Sequence, residues 1–215
     1  MSVNEVVVVN YGAGNIRSVT RALEFAGAVV KLTADPEIVA TAGRVLLPGV
    51  GAFPKAMHEL TLHGLDEALH QVVTEGNFLL GICLGMQMLF ETSNEFGVTR
   101  GLGLIPGDVT LMSSAGSEGR LRKVPHIGWN ELMPTASNTS WNDTLLRRIP
   151  TGSSVYFVHS FMANPVAADN RIADVLSEDL PITAVVERDN VFGCQFHPEK
   201  SGVTGLKILE EFLSL

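Results

Sequence analysis

The 215-residue chain has only two cysteines, Cys83 and Cys194, and no apolar run near the roughly 20 residues that cross a bilayer. Its opening, Met1-Ser-Val-Asn-Glu before Val6 to Val9, lacks both the basic segment and the apolar length of a secretion signal. Both cysteines are therefore expected as reduced thiols in a cytoplasmic protein, where the sequons at Asn138 and Asn142 carry no meaning. Basic charge is scarce too: 15 Lys and Arg stand against 23 Asp and Glu, for a net charge of −8, and the cations are scattered. That argues against nucleic acid or an anionic membrane as the main partner. No internal repeat and no linker divides the chain, so residues 1–215 read as one domain. What is abundant is apolar surface. With 46% hydrophobic and 18% charged residues, the composition is that of a compact globule burying about 70% of its unfolded surface.

The first ninety residues alternate between two periodicities. Val6 to Val9 and Phe78 to Ile82 are short apolar runs, as strands covered on both faces would be, and Ala28 to Leu32 and Val45 to Leu47 read as two further strands. Between them, Ile16, Val19, Leu23 and Ala26 repeat at helical spacing up to Gly27. Leu65, Ala68, Leu69 and Val72 do the same up to Gly76, and a helix beginning near Pro54 presents Met57 and Leu60. Leu84 to Phe90 reads as a further helix. Strands alternating with helices imply parallel pairing through right-handed crossovers. The second half is richer in strands: Val109 to Met112, Ser154 to His159, Arg171 to Leu176, and Ile182 to Glu187, which forms a hairpin with Val191 to Phe196. Ser113 to Gly119 reads as a mobile loop of small residues, and Gly205 to Leu213 as a closing helix. The expected fold is one α/β domain around a mixed, mostly parallel sheet flanked by helices.

Gly81-Ile-Cys-Leu-Gly85 has the form of a nucleophile elbow with cysteine in the reactive position. A side chain presented on a tight strand-to-helix turn needs strained backbone angles, and glycines two residues either side remove the resulting clashes. A helix N-terminus beside the sulfur favours thiolate, and an ordinary thiol of pKa about 8.5 is only a few per cent ionised at neutral pH. The competing reading is a buried structural thiol. Cys194 suits that role: it alternates with Phe192 and Phe196 in a strand and has no elbow.

A cysteine nucleophile needs a base, and the base an orienting group. His58, His63 and His70 lie on or between amphipathic helices among charged neighbours; His126 and His159 lie near strand ends. His197 ends a strand as Phe196-His-Pro-Glu199. Pro198 favours an extended His197, and alternation in an extended segment would bring Glu199 to its ring. Cys83, His197 and Glu199 thus form a candidate triad. The backbone N–H of Leu84 is one candidate oxyanion donor, and Pro48-Gly-Val-Gly-Ala-Phe53 could supply the other. Tyr11-Gly-Ala-Gly-Asn-Ile-Arg17 only partly follows a dinucleotide fingerprint: Arg17 replaces the third glycine, and Asp35 belongs to a turn. No His, Cys or carboxylate pair has metal-ligand spacing, so neither cofactor nor metal is expected.

Gly81-Ile-Cys-Leu-Gly-Met-Gln87 with His197-Pro-Glu199 resembles the class I (triad) glutamine amidotransferases over nearly the whole chain. Asn10-Tyr-Gly-Ala-Gly-Asn15, Pro48 to Phe53, Pro125-His-Ile-Gly-Trp-Asn130, Tyr156-Phe-Val-His159 and His197-Pro-Glu-Lys-Ser201 narrow the likeness to the glutaminase subunits of imidazole glycerol phosphate synthase. The resemblance implies a type 1 glutamine amidotransferase domain over 1–215 with a flavodoxin-like sheet. In it Cys83 forms a thioester with glutamine, releasing ammonia, while His197 acts as base and then acid and Glu199 orients it. Gly51, Gln87, His159, Ser160 and Phe161 would contact substrate, with Glu95 a candidate for its amine. Oxyanion donors would come from Leu84 and from Val50 or Gly51, in a loop that reorients when the partner binds. Phe161 stands where the family often has tyrosine. Ammonia would pass to a (β/α)₈ cyclase subunit in a heterodimer, with Asn15, Trp129, Tyr156 and Lys200 toward it. Three alternatives remain: a glutaminase subunit of another pathway, a non-catalytic docking subunit, and a stand-alone cysteine hydrolase.

Overall fold

The computed structural model describes residues 4–12, 14–115 and 121–215. The expected loop at 113–119 therefore lies outside the described residues from position 116 to its end. The first half builds β1 (Glu5–Val9), α1 (Ile16–Phe25), β2 (Val29–Thr33), α2 (Pro36–Ala40), β3 (Arg44–Gly49), α3 (Phe53–Leu62), α4 (Leu65–Thr74), β4 (Phe78–Cys83) and α5 (Leu84–Met88). The second half adds β5 (Phe90–Ser93), β6 (Thr99–Arg100), β7 (Ile105–Leu111), β8 (His126–Glu131), β9 (Met133–Pro134), β10 (Ser154–His159) and β11 (Phe161–Pro165). It ends with β12 (Arg171–Ser177), β13 (Leu180–Arg188), β14 (Val191–Cys194) and α6 (Gly202–Ser214).

The main sheet has eight strands in the order β2-β1-β3-β4-β14-β13-β12-β9. The pairs from β2 through β14 are parallel and those from β14 through β9 antiparallel, so the sheet is mixed as expected. Its central strands are buried on both faces. Val6 and Val8 of β1, Leu46 of β3 and Leu80 of β4 enter one core with α1 and α6; Val7, Val9, Val45, Leu47 and Leu79 enter another with α3 and α4. Period-two alternation between two apolar layers explains why these strands read as unbroken hydrophobic runs. Among the described residues, no helix is long and apolar enough to cross a membrane.

Local chemistry sets the boundaries. Gly27, at φ +95°, closes α1 while the N–H groups of Gly27 and Ala28 bond the carbonyls of Glu24 and Leu23. Asp35, expected in a turn, instead caps α2: its Oδ1 accepts from Glu37 N at 3.0 Å, with Pro36 in the first turn. The helix expected over Leu84–Phe90 stops at Met88. Phe90 begins β5, which runs parallel to β7 in a separate four-stranded sheet ordered β11-β7-β5-β6. A short apolar stretch fits either period, and here strand pairing buries Phe90 completely against Ile105 and Val109. A two-stranded antiparallel ribbon of β8 and β10 completes the fold. β14 ends at Cys194, two residues before the expected end at Phe196.

Phe212 of α6 is fully buried with its ring against Phe192, whereas Phe25 of α1 is 78% exposed. Phe212→Ala is expected to cost about 3–5 kcal/mol in urea denaturation, and Phe25→Ser less than about 0.5 kcal/mol.

Candidate active site

The carboxyl ends of the adjacent parallel strands β3, β4 and β14 converge, the place where open α/β sheets assemble ligand sites. Gly49 is in register with Cys83 across β3 and β4, and Cys194 with Ile82 across β14 and β4. Gln195 thus follows level with Cys83, and His197 two residues beyond. Cys83 itself stands at φ 55° and ψ −112°, in left-handed backbone that a side chain seldom adopts. The packing around it leaves no choice. A Cβ on Gly85 would lie 1.9 Å from the Leu47 carbonyl oxygen, one on Gly81 2.7 Å from the Gly85 backbone, and one on Gly49 2.6 Å from Gly85 N. Three glycines let the elbow nest between β3 and β4.

His197 Nδ1 lies 2.8 Å from Glu199 Oε1, with the two side chains only 3% and 1% exposed. The contact arises differently from the extended pairing expected. His197 caps a 3₁₀ turn, Pro198–Lys200, that folds Glu199 back onto the ring. The backbone of Tyr156 brackets that turn: its carbonyl accepts from His197 N at 3.0 Å, and its N–H donates to Ser201 Oγ, which donates to the His197 carbonyl. Burial alone would lower the His197 pKa. Hydrogen bonds to Cys83 and Glu199, and their charges, outweigh burial and hold it at about 9. At neutral pH an imidazolium therefore stands against the sulfur. The helix expected to favour thiolate, α5, is only five residues long, and the His197 ring adds a positive group bonded to the sulfur. Cys83 and Cys194 are both free. Burial raises the Cys194 pKa and keeps it a core thiol beside Phe192 and Phe196.

A cavity of about 420 Å³ opens at the sulfur. Its lining includes Cys83, Leu84, Gln87 and His197, with Val50, Gly51 and Glu95 and with His159, Ser160 and Phe161. Two of the expected triad residues, Cys83 and His197, are thus gathered with the expected oxyanion and substrate residues around one space, while Glu199 reaches it through the His197 ring. Glu95 also accepts from Phe53 N at 2.6 Å, at the start of α3. Tyr11 donates to the Pro48 carbonyl at 2.8 Å, just before the Gly49–Gly51 loop. Of the four residues expected toward a partner, Trp129 and Tyr156 meet edge to face, and Lys200 Nζ lies 5.9 Å from the Tyr156 ring centre. Asn15 is half-buried at the start of α1, and its side chain caps no helix.

Sequence reading missed two further features. One is Gln195, fully buried: its Oε1 accepts from Gln87 Nε2 at 2.9 Å, and its Nε2 lies 3.9 Å from Cys83 Sγ. Its only signal was a polar residue between Cys194 and Phe196. The other is a histidine pair. His159 Nδ1 bonds the Phe161 carbonyl at 2.8 Å and must donate there, while its Nε2 lies 3.1 Å from His126 Nδ1. Burial, with the nearby His126 and His197, lowers the His159 pKa to about 4 despite the bond to Phe161. His159 is therefore neutral, and its Nε2 accepts from His126.

A buried thiol, an imidazolium and a carboxylate in line, beside a cavity for one small ligand, equip this site for acyl transfer through sulfur. Residues 7–214 match the family model described as glutamine amidotransferase class-I. The chain is 49% identical to imidazole glycerol phosphate synthase subunit HisH 1 of Legionella pneumophila (strain Lens) over 99% of its length and 100% of that protein. It is 46% identical to subunit HisH of Streptococcus sanguinis and 43% to that of Listeria monocytogenes serotype 4b, in each case over 96% of this chain and 94% of the other. A crystal structure of a glutamine amidotransferase superposes with a TM-score of 0.73 at 17% identity, covering 98% of this chain and 99% of that one. PurLQS of Thermotoga maritima superposes at 0.71 and 20%, covering 98% and 97%. These two likenesses establish the fold. The chain belongs to the class-I glutamine amidotransferases and, within them, to the HisH family.

Gly85→Ala is expected to remove more than about 3 kcal/mol of stability, because backbone cannot yield to a Cβ at that distance. Gly64→Ala, at φ +65° in open space, is expected to cost only about 1 kcal/mol, both measured by chemical denaturation. His159 binds its proton less readily folded than unfolded, so stability falls as pH drops from about 6.5 toward 4. The loss is expected to approach about 3 kcal/mol and to shrink in His159→Gln, measured by denaturation across that range.

Proposed function

We propose that the protein is the glutaminase subunit of imidazole glycerol phosphate synthase, acting in histidine biosynthesis, with residues 1–215 serving as one glutamine amidotransferase domain. The observation that carries this reading is that Cys83 and His197 line one single-ligand cavity, with Glu199 bonded to the His197 ring, in a chain of the HisH family. The Cys83 sulfur attacks the carboxamide carbon of glutamine and forms a tetrahedral oxyanion. The N–H of Leu84 and one from Val50 or Gly51 stabilise that charge. Collapse of the intermediate breaks the C–N bond, and the proton on His197 leaves with the ammonia. Water then attacks the thioester carbon and gives its proton to His197, and the C–S bond breaks to release glutamate. Glu199 keeps the imidazole in one tautomer throughout. Gln87, Ser160, Phe161 and Glu95 hold the substrate, Glu95 offering a carboxylate to its amine.

A glutaminase domain by itself has no use for ammonia, which protonates in bulk water, so a sealed interface with an acceptor is the physical expectation. An exposed apolar strip supports one. Ile127 and Trp129 of β8 pair in register with Val158 and Tyr156 of β10, and Val158 reaches the cavity mouth. Isolated apolar residues are ordinary on a surface, but a cluster beside a site marks a docking face. The partner in this reading is the (β/α)₈ cyclase subunit, bound as a heterodimer, with Trp129, Tyr156, Lys200 and Asn15 toward it. Two free cysteines accord with a cytoplasmic setting.

Glutamate release by the purified chain is expected to rise as the cyclase subunit is titrated in. Cys83→Ala is expected to reduce glutamine-dependent turnover of the pair by about 10⁴-fold or more, while synthesis from added ammonia continues. Full glutamine-dependent turnover in that variant would leave only a docking role. Fast release without any partner would favour a stand-alone hydrolase.

A further inference from the structure

The cavity wall contains a chain of hydrogen bonds whose direction one backbone group fixes. The Phe161 carbonyl can only accept, so the Gln87 amide must present Nε2 to it, at 3.0 Å. The second hydrogen of that Nε2 faces Gln195 Oε1 at 2.9 Å. With its oxygen so engaged, Gln195 turns its own Nε2 toward the Cys83 sulfur at 3.9 Å. Gln195 has no exposed surface, and its backbone N–H is tied to Ala184 across the sheet. Such a side chain has little freedom to take another orientation.

We propose that Gln195 is a positioning residue for the glutaminase reaction, holding the Gln87 amide in one orientation and steadying the Cys83 sulfur with a neutral donor. The proposal rests on the glutaminase reading. Gln87 spends both Nε2 hydrogens on Phe161 and Gln195, so its Oε1 is left to accept from a ligand in the cavity. Without Gln195 the amide could rotate and present a donor there instead, which would weaken the hold on substrate. At the sulfur, a neutral N–H favours the anion without adding a charge that competes with His197. A merely structural glutamine would satisfy its own polar atoms but leave substrate affinity and thiol ionisation untouched.

Two near-isosteric variants separate these roles in the pair reconstituted with the cyclase subunit. Gln195→Met offers neither donor nor acceptor, and KM for glutamine is expected to rise about tenfold or more, as an orphaned buried N–H implies. Gln195→Glu still accepts from Gln87 but sets a carboxylate against the sulfur. Its KM is expected within about threefold of wild type, with kcat down tenfold or more. Thiol ionisation is read separately from the pH profile of iodoacetamide alkylation, with Cys83→Ala as blank. The midpoint is expected to rise by about one unit in Gln195→Glu and by less in Gln195→Met. An unchanged KM in Gln195→Met, or alkylation midpoints unmoved in folded variants, overturns the proposal. Failure of the wild-type pair to release glutamate would refute the glutaminase reading instead, and the alkylation profiles would still test the tie to sulfur.

Discussion

Everything at this site depends on one backbone constraint: Cys83 held at φ 55° where β4 turns into α5. That conformation is costly for a residue with a side chain, by about 1–3 kcal/mol. It persists because three glycines allow β3, β4 and the first turn of α5 to approach more closely than any Cβ would permit. The same approach brings the Gly49–Gly51 loop beside Leu84, so the candidate nucleophile and the candidate oxyanion donors share one packing solution. The strain is localised, and the two apolar layers flanking the sheet hold it in place.

Electrostatics then divides the histidines around the cavity. His197 and His159 are both buried, yet burial prevails only for His159. His197 faces a carboxylate and the sulfur, and it is held protonated. His159 faces a carbonyl and another histidine, and it is held neutral. Two identical side chains near one cavity thus take opposite charge states because of what their nitrogens meet. The neutral one secures the Phe161 carbonyl, the same acceptor that fixes Gln87.

Much of this was legible in the sequence, for identifiable reasons. Doubly buried strands advertise themselves as β-branched runs, so β1, β3 and β4 were readable. The elbow glycines were readable because a steric rule demands them. The pairing of His197 with Glu199 was anticipated, although through extended backbone rather than the 3₁₀ turn that forms. Less legible were features created by long-range pairing. Phe90 satisfies a helical stripe as well as a strand, and only β7, fifteen residues onward, decides between them. Gln195 carries no local signal beyond being a polar residue between Cys194 and Phe196. Its position becomes meaningful only once the register of β14 on β4 sets it level with Cys83.

The ribbon of β8 and β10 has a consequence that follows from alternation along a strand. Tyr156 turns its ring outward beside Trp129, yet both peptide groups of that residue fasten the turn that carries His197 and Glu199. Outer face and candidate triad turn are therefore joined through a single amino acid, which bonds His197 directly and again by way of Ser201 Oγ. A force applied from outside to that ring passes through one residue's main chain and its two hydrogen bonds before it reaches the turn of His197 and Glu199, so the shortest lever in the fold is a single peptide segment.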